Sequence, residues 1–349
     1  LHLASRRQRQ MCIRDRIFLY MISIDNKLYI RDIDTYIDPF FPVERAIITH
    51  GHADHARAGH KHVLCTPETS EIMKIRYGEN CASSFQTIKY GHSVKIGKIS
   101  VTLYPAAHIL GSAQVLLETP KHRIVVTGDY KTILDRHLDP FEVVPCDLLI
   151  TEATFGLPIF KFNKPEMEIV RLLDNISKNR ENTFLIGAYS LGKAQRIIWL
   201  LREAGFSDDI FVHGSMDKLC DFYQSKGIRL GTLRKATLDN KKDFKGKIIV
   251  APPSALKDRW SRRFENITRC YASGWMQVKQ RAKQSQIEIP LVISDHSDWN
   301  ELTNTIKQTG AEKVWITHGR EDALKYWCEK NGIQAEPLSL QHRDETNEL

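Results

Sequence analysis

The spacing of hydrophobic and polar positions predicts two regions with different architectures. Between Met21 and about Glu152, short runs rich in Val, Ile, Leu and Tyr are separated by Gly, Pro and charged residues, which is typical of β-strands. The clearest helical pattern there covers residues 67–78. Strands are predicted at 27–32, 45–50, 62–66, 93–106, 113–118, 123–129 and 146–154. This region is therefore expected to consist mainly of β-sheet.

The region after Phe155 alternates strands with helices. Strands are predicted at 183–190, 209–214 and 246–253, and helices at 191–205 and 215–227. Such alternation favours a parallel α/β arrangement. The alternation resumes after an apolar run that begins at 291. It continues with a helix over 299–309, a strand over 312–319 and a helix from Glu321. The chain as a whole is predicted to have an α/β fold.

The composition is typical of a soluble globular protein, with 42% hydrophobic and 26% charged residues. No apolar run approaches the roughly 20 residues that span a bilayer, so no membrane association is expected. The seven cysteines are scattered and lack a CxxC pair, which predicts reduced thiols in a cytoplasmic protein. Any bound metal is therefore expected to have nitrogen and oxygen ligands.

The net charge of +8 depends strongly on the first twenty residues. Residues 1–20 contain five arginines and one aspartate, and so carry half of the excess charge. They lack a hydrophobic period and the apolar core of a signal peptide, so we expect a non-native or disordered leader, with Met21 as the natural start. The remaining charge gives only mild support for a polyanionic partner.

Histidine and aspartate residues lie at the ends of several predicted strands. The segment ITHGHADHARAGH, at 48–60, places four of them within six positions. The complete set is His50, His52, Asp54, His55, His108, Asp129 and His318. Each of these groups is costly to bury without a partner, and strand ends can bring distant side chains together. The pattern therefore predicts a metal site.

Seven such ligands are enough for two cations. We assign His50, His52 and His108 to one ion, Asp54, His55 and His318 to the other, and Asp129 to both as a bridge. Two zinc ions per chain are expected, because zinc accepts imidazole and carboxylate ligands, and manganese is the alternative. A pair of such ions lowers the pKa of a shared water and stabilises an in-line displacement.

Further motifs connect the chain to a known group of hydrolases. Besides HxHxDH at 50–55, they are Glu152 in LITEATFG, His296 in LVISDHSD and His318 in ITHG. With these motifs the chain resembles the β-CASP branch of the metallo-β-lactamase-fold nucleases. Three segments are similar to the bacterial ligase-associated DNA exonucleases, whose homologues are also labelled mRNA 3′-end processing factors: YSLGKAQR (189–196), APPSA (251–255) and YASGWM (271–276).

The resemblance, which extends from about Met21 to Pro337, implies a domain organisation. The expected fold is a metallo-β-lactamase αββα sandwich that carries an inserted α/β β-CASP domain. Residues 21–155 and 290–340 would form the sandwich, 156–289 the insertion and 341–349 a tail. The insertion would cover the metal site and leave a groove for substrate.

The resemblance also implies a two-zinc phosphodiesterase. Asp54, Glu152 and His296 would be catalytic, with His296 protonating the leaving oxygen and Glu152 orienting the imidazole. A histidine beside a carboxylate keeps its proton near neutral pH, which suits this role. The implied substrate is single-stranded DNA or RNA. The implied partners are an ATP-dependent DNA ligase and an Lhr-type helicase that act in repair.

Basic and aromatic residues of the insertion suit a single strand, because cations neutralise phosphates and aromatic rings stack on bases. The predicted substrate contacts are Ser190, Lys193, Arg196, Ser273 and Trp275. The N–H groups of the helix that opens at Gly192 and Lys193 could also receive a phosphate. The alternative interpretation is a solvated charged face with aromatic residues in the core.

Three functions stay open at this point. The first is an exonuclease that prefers DNA narrowly over RNA, although His318 is more typical of RNA-acting members, including 3′-end processing exo- or endonucleases. The second is a hydrolase of small esters, lactones or thioesters, which the long insertion and the Glu152–His296 pair disfavour. The third is a binding subunit with a dead site, which the complete ligand set disfavours.

Overall fold

Three β-sheets organise the chain in the computed structural model, which describes residues 22–23, 28–237 and 244–338. The predicted leader, 1–20, and tail, 341–349, lie outside the described residues. The described strands are β1 (Ile22–Ser23), β2 (Leu28–Ile30), β3 (Thr35–Ile37), β4 (Arg45–Ile47), β5 (His60–Cys65), β6 (Ala82–Thr87), β7 (Ser93–Ile96), β8 (Ile99–Pro105), β9 (Ala113–Glu118), β10 (Arg123–Val126), β11 (Leu148–Ala153), β12 (Thr183–Gly187), β13 (Ile210–Val212), β14 (Leu233–Lys235), β15 (Ile248–Ala251), β16 (Ile267–Ala272), β17 (Ile289–Leu291), β18 (Lys313–Gly319) and β19 (Gln334–Pro337).

Helices cover the outer faces of the sheets. The described α-helices are α1 (Pro67–Tyr77), α2 (Pro165–Lys178), α3 (Lys193–Glu203), α4 (Asp217–Ser225), α5 (Lys279–Gln284), α6 (Trp299–Thr309) and α7 (Glu321–Lys330). None of the helices in the described ranges is both long enough and apolar enough to cross a membrane.

Two of the sheets pack face to face. The first has the order β1-β2-β3-β4-β5-β6 and the second β19-β18-β11-β10-β9-β8-β7. Along β9, Val115 and Leu117 face the core between the sheets, whereas Leu116 faces the outer helices, as the period of two requires. Met73 of α1 packs on the outer face of the first sheet, and α6 and α7 pack on that of the second. The predicted αββα sandwich is confirmed.

The third sheet is an insertion into this sandwich. Its strands run parallel in the order β14-β13-β15-β12-β16-β17. They come between β11 and β18, which are direct neighbours in the second sheet. Helices α2, α3 and α4 cover one face and α5 the other. The α/β architecture predicted after Phe155 is therefore observed, and β17 crosses the expected boundary at 289–290.

Two segments differ from the sequence prediction. Residues 93–106, which are predicted to form one strand, instead form a hairpin in which Ile96 of β7 pairs with Ile99 of β8. Gly97 in its turn has a φ of 58°, which glycine adopts without strain. The apolar run that begins at Leu291 does not form a strand, because β17 ends at Leu291 and Val292 and Ile293 lie in the loop that follows.

Candidate metal centre

Six of the seven predicted ligands meet in two groups where strands of the two sandwich sheets end, and Asp54 belongs to neither group. The segment 50–55 follows β4, His108 follows β8, Asp129 follows β10, and His318 lies near the end of β18. Nitrogen and oxygen atoms of His50, His52, His108 and Asp129 all lie within 4.8 Å of one another, and those of His55, Asp129 and His318 form a second such group. The two groups share Asp129, as expected for a bridging ligand.

Asp129 occupies the middle of the cluster. Its Oδ2 lies 3.4 Å from Nε2 of both His50 and His55 and 3.8 Å from Nε2 of His108. Its Oδ1 lies 3.6 Å from Nδ1 of His318. The carboxylate is buried, with 5% of its side chain exposed. A buried carboxylate surrounded by imidazoles is a ligand arrangement that suits a divalent cation.

The orientation of His52 and His108 provides a test of whether a cation fits. His52 Nε2 lies 3.1 Å from the Leu191 carbonyl, and His108 Nδ1 lies 3.0 Å from the Asp295 carbonyl. A carbonyl only accepts hydrogen bonds, so each of these nitrogens carries the proton. The remaining nitrogens, His52 Nδ1 and His108 Nε2, are then both lone-pair acceptors, yet they lie 3.0 Å apart. Two facing lone pairs at this distance fit a shared cation.

His50 and His55 are oriented from the other side by Asp38. Nδ1 of His55 donates to Asp38 Oδ2 at 2.7 Å. The Thr49 hydroxyl donates to the same oxygen at 2.6 Å and therefore accepts from His50 Nδ1, 3.1 Å away. Both histidines thus turn Nε2 towards Asp129, and His50 Nε2 has no hydrogen-bond partner among the described residues. Carboxylates that orient metal-binding imidazoles in this way are common around metal sites.

Electrostatics favour a cation at the same place. Burial lowers the pKa of His50 and of His108 well below the ordinary value, and nearby histidines lower both further. Burial alone would raise the pKa of Asp129, but His55, His318 and His50 hold it well below its usual range. Neutral imidazoles, each with one lone-pair nitrogen, around an ionised carboxylate are a set of electron-pair donors. A divalent cation would balance the buried negative charge.

The backbone is strained at three positions around the cluster. Asp38, Ala107 and His318 have φ angles of 45°, 56° and 55°, in the left-handed region that side chains with a Cβ seldom adopt. At His318 the pairing of β18 with β11 shifts by one residue, which forms a bulge. Bulges redirect a side chain at functional sites, and this one turns His318 towards Asp129.

Glu152 and His296 form a pair beside the cluster. His296 Nδ1 lies 2.9 Å from Glu152 Oε2, and Thr154 donates its hydroxyl proton to the same oxygen. The other oxygen of Glu152 accepts from the Tyr130 amide at 2.8 Å. The His296 ring lies 4.6 Å from that of His108, with the ring planes tilted by 52°. The pair is therefore held in a fixed orientation next to the predicted ligands.

Asp54 lies at the open side of the cluster. Its side chain is 46% exposed, and its Oδ2 is 3.7 Å from His55 Nε2. Burial of the carboxyl would raise its pKa, but His55, His52 and His318 lower it, and the net pKa is below the ordinary value. Asp54 is thus an ionised group that both the cluster and solvent can reach.

Two of the predicted substrate contacts are at least partly accessible. Trp275 is half-buried, and its ring lies 4.9 Å from Phe155, whose ring lies 6.2 Å from His296. Arg281 stacks over the same indole at 4.1 Å. Ser190 is half-buried two residues before Gly192. Ser273 is buried and its hydroxyl accepts from the Trp275 amide at 3.2 Å, so it shapes the turn that carries Trp275.

Lys193 and Arg196 do not face solvent as a substrate contact would. They are 5% and 3% exposed, and both bind the Asp295 carboxylate, at 3.1 Å and 3.0 Å. The position of Lys193 in the first turn of α3 places it against the loop that carries His296. The prediction that these two cations contact substrate is corrected to a role inside the protein, because their charges are already paired.

Several residues around the cluster were not predicted. Asp38 precedes His50 by twelve positions outside any motif, and the strand that it follows, β3, was not predicted either. Leu191 and Asp295 act through backbone carbonyls, which leave no residue-type signal. Thr154 lies two residues after Glu152 in the motif LITEATFG, and a single threonine gives no signal of function.

Comparison with known proteins gives several relatives. No protein-family model matches the chain. A probable DNA ligase of Opitutus terrae is 27% identical over 93% of this chain and 33% of its own length. Endoribonuclease YSH1 of Eremothecium gossypii is 34% identical over 70% of this chain and 40% of its own length, and that of Kluyveromyces lactis is 33% identical over the same shares. The chain therefore spans a third to two-fifths of these curated relatives.

A solved structure shares the fold. A protein of unknown function from Enterococcus faecalis V583 superimposes with a TM-score of 0.56 at 15% identity, covering 83% of this chain and 78% of that one. The sandwich, the inserted parallel sheet and the histidine–carboxylate cluster agree with the relationship to the endoribonucleases. The resemblance found in the motifs is confirmed, and the chain belongs to the β-CASP branch of the metallo-β-lactamase-fold nucleases.

Proposed function

We propose that the chain is a two-zinc phosphodiesterase that shortens single-stranded DNA as an exonuclease. The observation that carries the proposal is the Glu152–His296 pair beside the two ligand groups that share Asp129. When bound, two divalent cations would lower the pKa of a water and stabilise negative charge on the phosphate. Manganese is the alternative metal, because the same ligand set suits it.

The roles of the chain's own residues follow from the geometry. His296 Nδ1 donates a hydrogen bond to Glu152, so the opposite nitrogen, Nε2, is the one that can protonate a leaving oxygen. Asp54, ionised and partly exposed, can hold a water by accepting its hydrogen bonds. Trp275 and Ser190 would contact the strand, with the indole stacking on a base.

Relatives support the choice of substrate without deciding it. The probable DNA ligase aligns with nearly the whole chain, which supports DNA and a ligase as partner in repair, with an Lhr-type helicase as a further proposed partner. Cleavage of RNA is the second candidate, because the YSH1 relatives are named endoribonucleases. The proposed compartment is the cytoplasm, since the six cysteines of the described ranges are buried free thiols.

The proposal is tested with purified protein, Zn²⁺ or Mn²⁺, and DNA and RNA strands of one sequence labelled at either end. We expect stepwise shortening of single-stranded DNA that disappears in Asp129→Asn, because this change removes the shared ligand. Asp139→Asn, an exposed carboxyl of the same loop, is the matched control and should retain activity. Preferential cleavage of RNA would favour the second candidate function over the first. If no strand were cleaved, the proposed phosphodiesterase activity would be refuted.

A further inference from the structure

Two basic side chains of helix α3, which packs on the inserted sheet, bind the loop that carries His296. Lys193 and Arg196 lie three positions apart on α3 and therefore on one face of it. Lys193 Nζ donates to the Ile293 carbonyl at 3.2 Å, and Arg196 Nη1 donates to the Ser294 carbonyl at 2.6 Å. Both also bind the carboxylate of Asp295. Three consecutive residues of the loop are thus fixed by one helix.

This cluster is buried and balanced in charge. Arg196 Nε also lies 2.7 Å from Asp135 Oδ2, so two cations face two carboxylates, each at most 5% exposed. Burial alone would raise the pKa of Asp295, but Lys193 and Arg196 hold it well below its ordinary value. Buried ion pairs seldom add net stability, because desolvation offsets the attraction between the charges. Stability alone is therefore a weak reason for this arrangement.

Backbone carbonyls next to this cluster accept hydrogen bonds from two of the predicted metal ligands. The backbone carbonyl of Asp295 accepts from His108 Nδ1 at 3.0 Å. The carbonyl of Leu191, two residues before Lys193, accepts from His52 Nε2 at 3.1 Å. His55, by contrast, is oriented by Asp38 from within the sandwich. Helix α3 therefore orients His52 and, through Asp295, His108, whereas Asp38 of the sandwich orients His50 and His55.

We propose that Asp295 is a positioning residue through which Lys193 and Arg196 fix the ring of His108, so that the inserted sheet sets the affinity of the ion bound by His50, His52 and His108. The inference rests on the metal centre of the proposed function and is independent of its substrate. Partners that orient metal-binding histidines change metal affinity by about 10- to 100-fold when they are removed.

The test is a titration of metal-free protein with Co²⁺, followed through its visible absorption, and with Zn²⁺ in competition with a chelating dye. In Lys193→Met we expect one ion to bind at least 10-fold more weakly, with an altered Co²⁺ spectrum, while the second ion binds as before. The direction of the change in metal affinity distinguishes two explanations. Losing a cation near the site would by Coulomb attraction alone strengthen metal binding, so weaker binding indicates lost positioning.

Lys313→Met is the matched control. Lys313 is also a buried lysine in an ion pair, with Glu336 at 3.0 Å, but it lies at the start of β18, away from the ligands. The Lys313→Met substitution should reduce the stability of the protein without changing the affinity for either metal ion. Repeating the titration in a His318→Ala background, which keeps the first ligand group, identifies the affected ion. Unchanged or stronger binding in Lys193→Met, or an equal loss in Lys313→Met, would overturn the inference.

A double variant covers the case in which Lys193→Met does not fold. Lys193→Met with Asp295→Asn restores the charge balance, because Arg196 keeps Asp135 as its partner. It should fold and still bind the first ion weakly, since the anchor to Ile293 is gone. Wild-type affinity in this variant would refute the positioning role. Because these titrations use no nucleic acid, their failure is distinct from failure of the proposed cleavage.

Discussion

At the scale of single residues, the Glu152–His296 pair separates two chemical roles. Atoms of Asp129, Glu152 and His296 also lie within 4.8 Å of one another, so His296 has the geometry of a ligand as well as that of a proton donor. Its Nδ1 is engaged by Glu152, which is the usual arrangement for a histidine that transfers a proton through Nε2. Mutation distinguishes the two roles, because only a ligand is needed for metal content.

We predict that His296→Ala lowers kcat by about 10²- to 10⁴-fold, the usual contribution of a general acid, while two metal ions per chain are retained. Turnover of the best substrate and metal content by elemental analysis provide the measurement. His62→Ala is the matched control, because His62 is exposed and contacts Ser84 on the neighbouring strand. Loss of an ion in His296→Ala would mean that His296 is a ligand and that the proposed acid lies elsewhere.

The sequence predicted the candidate metal ligands better than the residues that orient them through hydrogen bonds. The HxHxDH spacing and the strand ends identified the histidines that the structure brings together around Asp129. Lys193 and Arg196 were misassigned because a basic residue at a helix start has the same pattern whether it faces a phosphate or a buried carboxylate. Asp38 was missed for a related reason: a single carboxylate gains its meaning only when folding places it 2.7 Å from His55.

At the scale of elements, the first turn of α6 joins two loops of the candidate site. Asp298 caps the helix by accepting from the Glu301 amide at 3.0 Å, and Glu301 accepts from the Asp298 amide in return. Glu301 also binds Lys131 at 3.2 Å and the Thr132 amide at 2.9 Å, in the segment that follows Asp129. One carboxylate therefore connects the loop of Asp129 with the loop of His296.

We predict that Glu301→Gln lowers the free energy of unfolding by about 3 kcal/mol at pH 7, because it leaves the buried Lys131 charge without its partner. Burial alone would raise the pKa of Glu301, but Lys131 and backbone amides lower it below its ordinary value of 4.5. The carboxylate therefore contributes stability above about pH 4.5 and loses it as the pH falls through the lower pKa of the folded state.

Urea unfolding at pH 7 and at successively lower pH tests this expectation. The difference between wild type and Glu301→Gln should narrow in acid, as Glu301 of the wild type becomes protonated. Glu168→Gln, in the first turn of α2, is the matched control. Glu168 pairs with the more exposed Arg171, so its change should cost no more than about 1 kcal/mol. A pH-independent difference for Glu301→Gln would contradict the assigned titration.

Elements with a clear apolar pattern were predicted and those with a mixed pattern were not. Strands β9 and β10 contain the short apolar runs VLL and IVV, which are typical of buried strands, and were found. Helix α2 buries Ile169, Leu172 and Ile176, but Met167 and Val170 on its exposed side obscure the helical period. Strand β6, with the sequence ASSFQT at the edge of its sheet, is largely polar and shows no apolar alternation. Pairing with β5, which local sequence does not encode, makes it a strand.

At the scale of the whole molecule, the metal ligands connect the two sheets of the sandwich. His50 and His55 follow β4 of the first sheet, whereas Asp129 and His318 belong to strand ends of the second. Cations held between them would act as cross-links between segments distant in the chain. Since a metal that binds only the folded state stabilises it by mass action, metal binding and global stability are expected to be coupled.

We predict that Zn²⁺ at 100 times its dissociation constant raises the free energy of unfolding of metal-free protein by about 2.7 kcal/mol for each occupied site. Asp129→Asn should lose more than half of this gain, because Asp129 belongs to both ligand groups. Urea unfolding with Zn²⁺ and with chelator measures the gain, and Asp139→Asn should show it in full. If Asp129→Asn kept the full gain, the cations would bind elsewhere, and the two sheets would be held together by their apolar core alone.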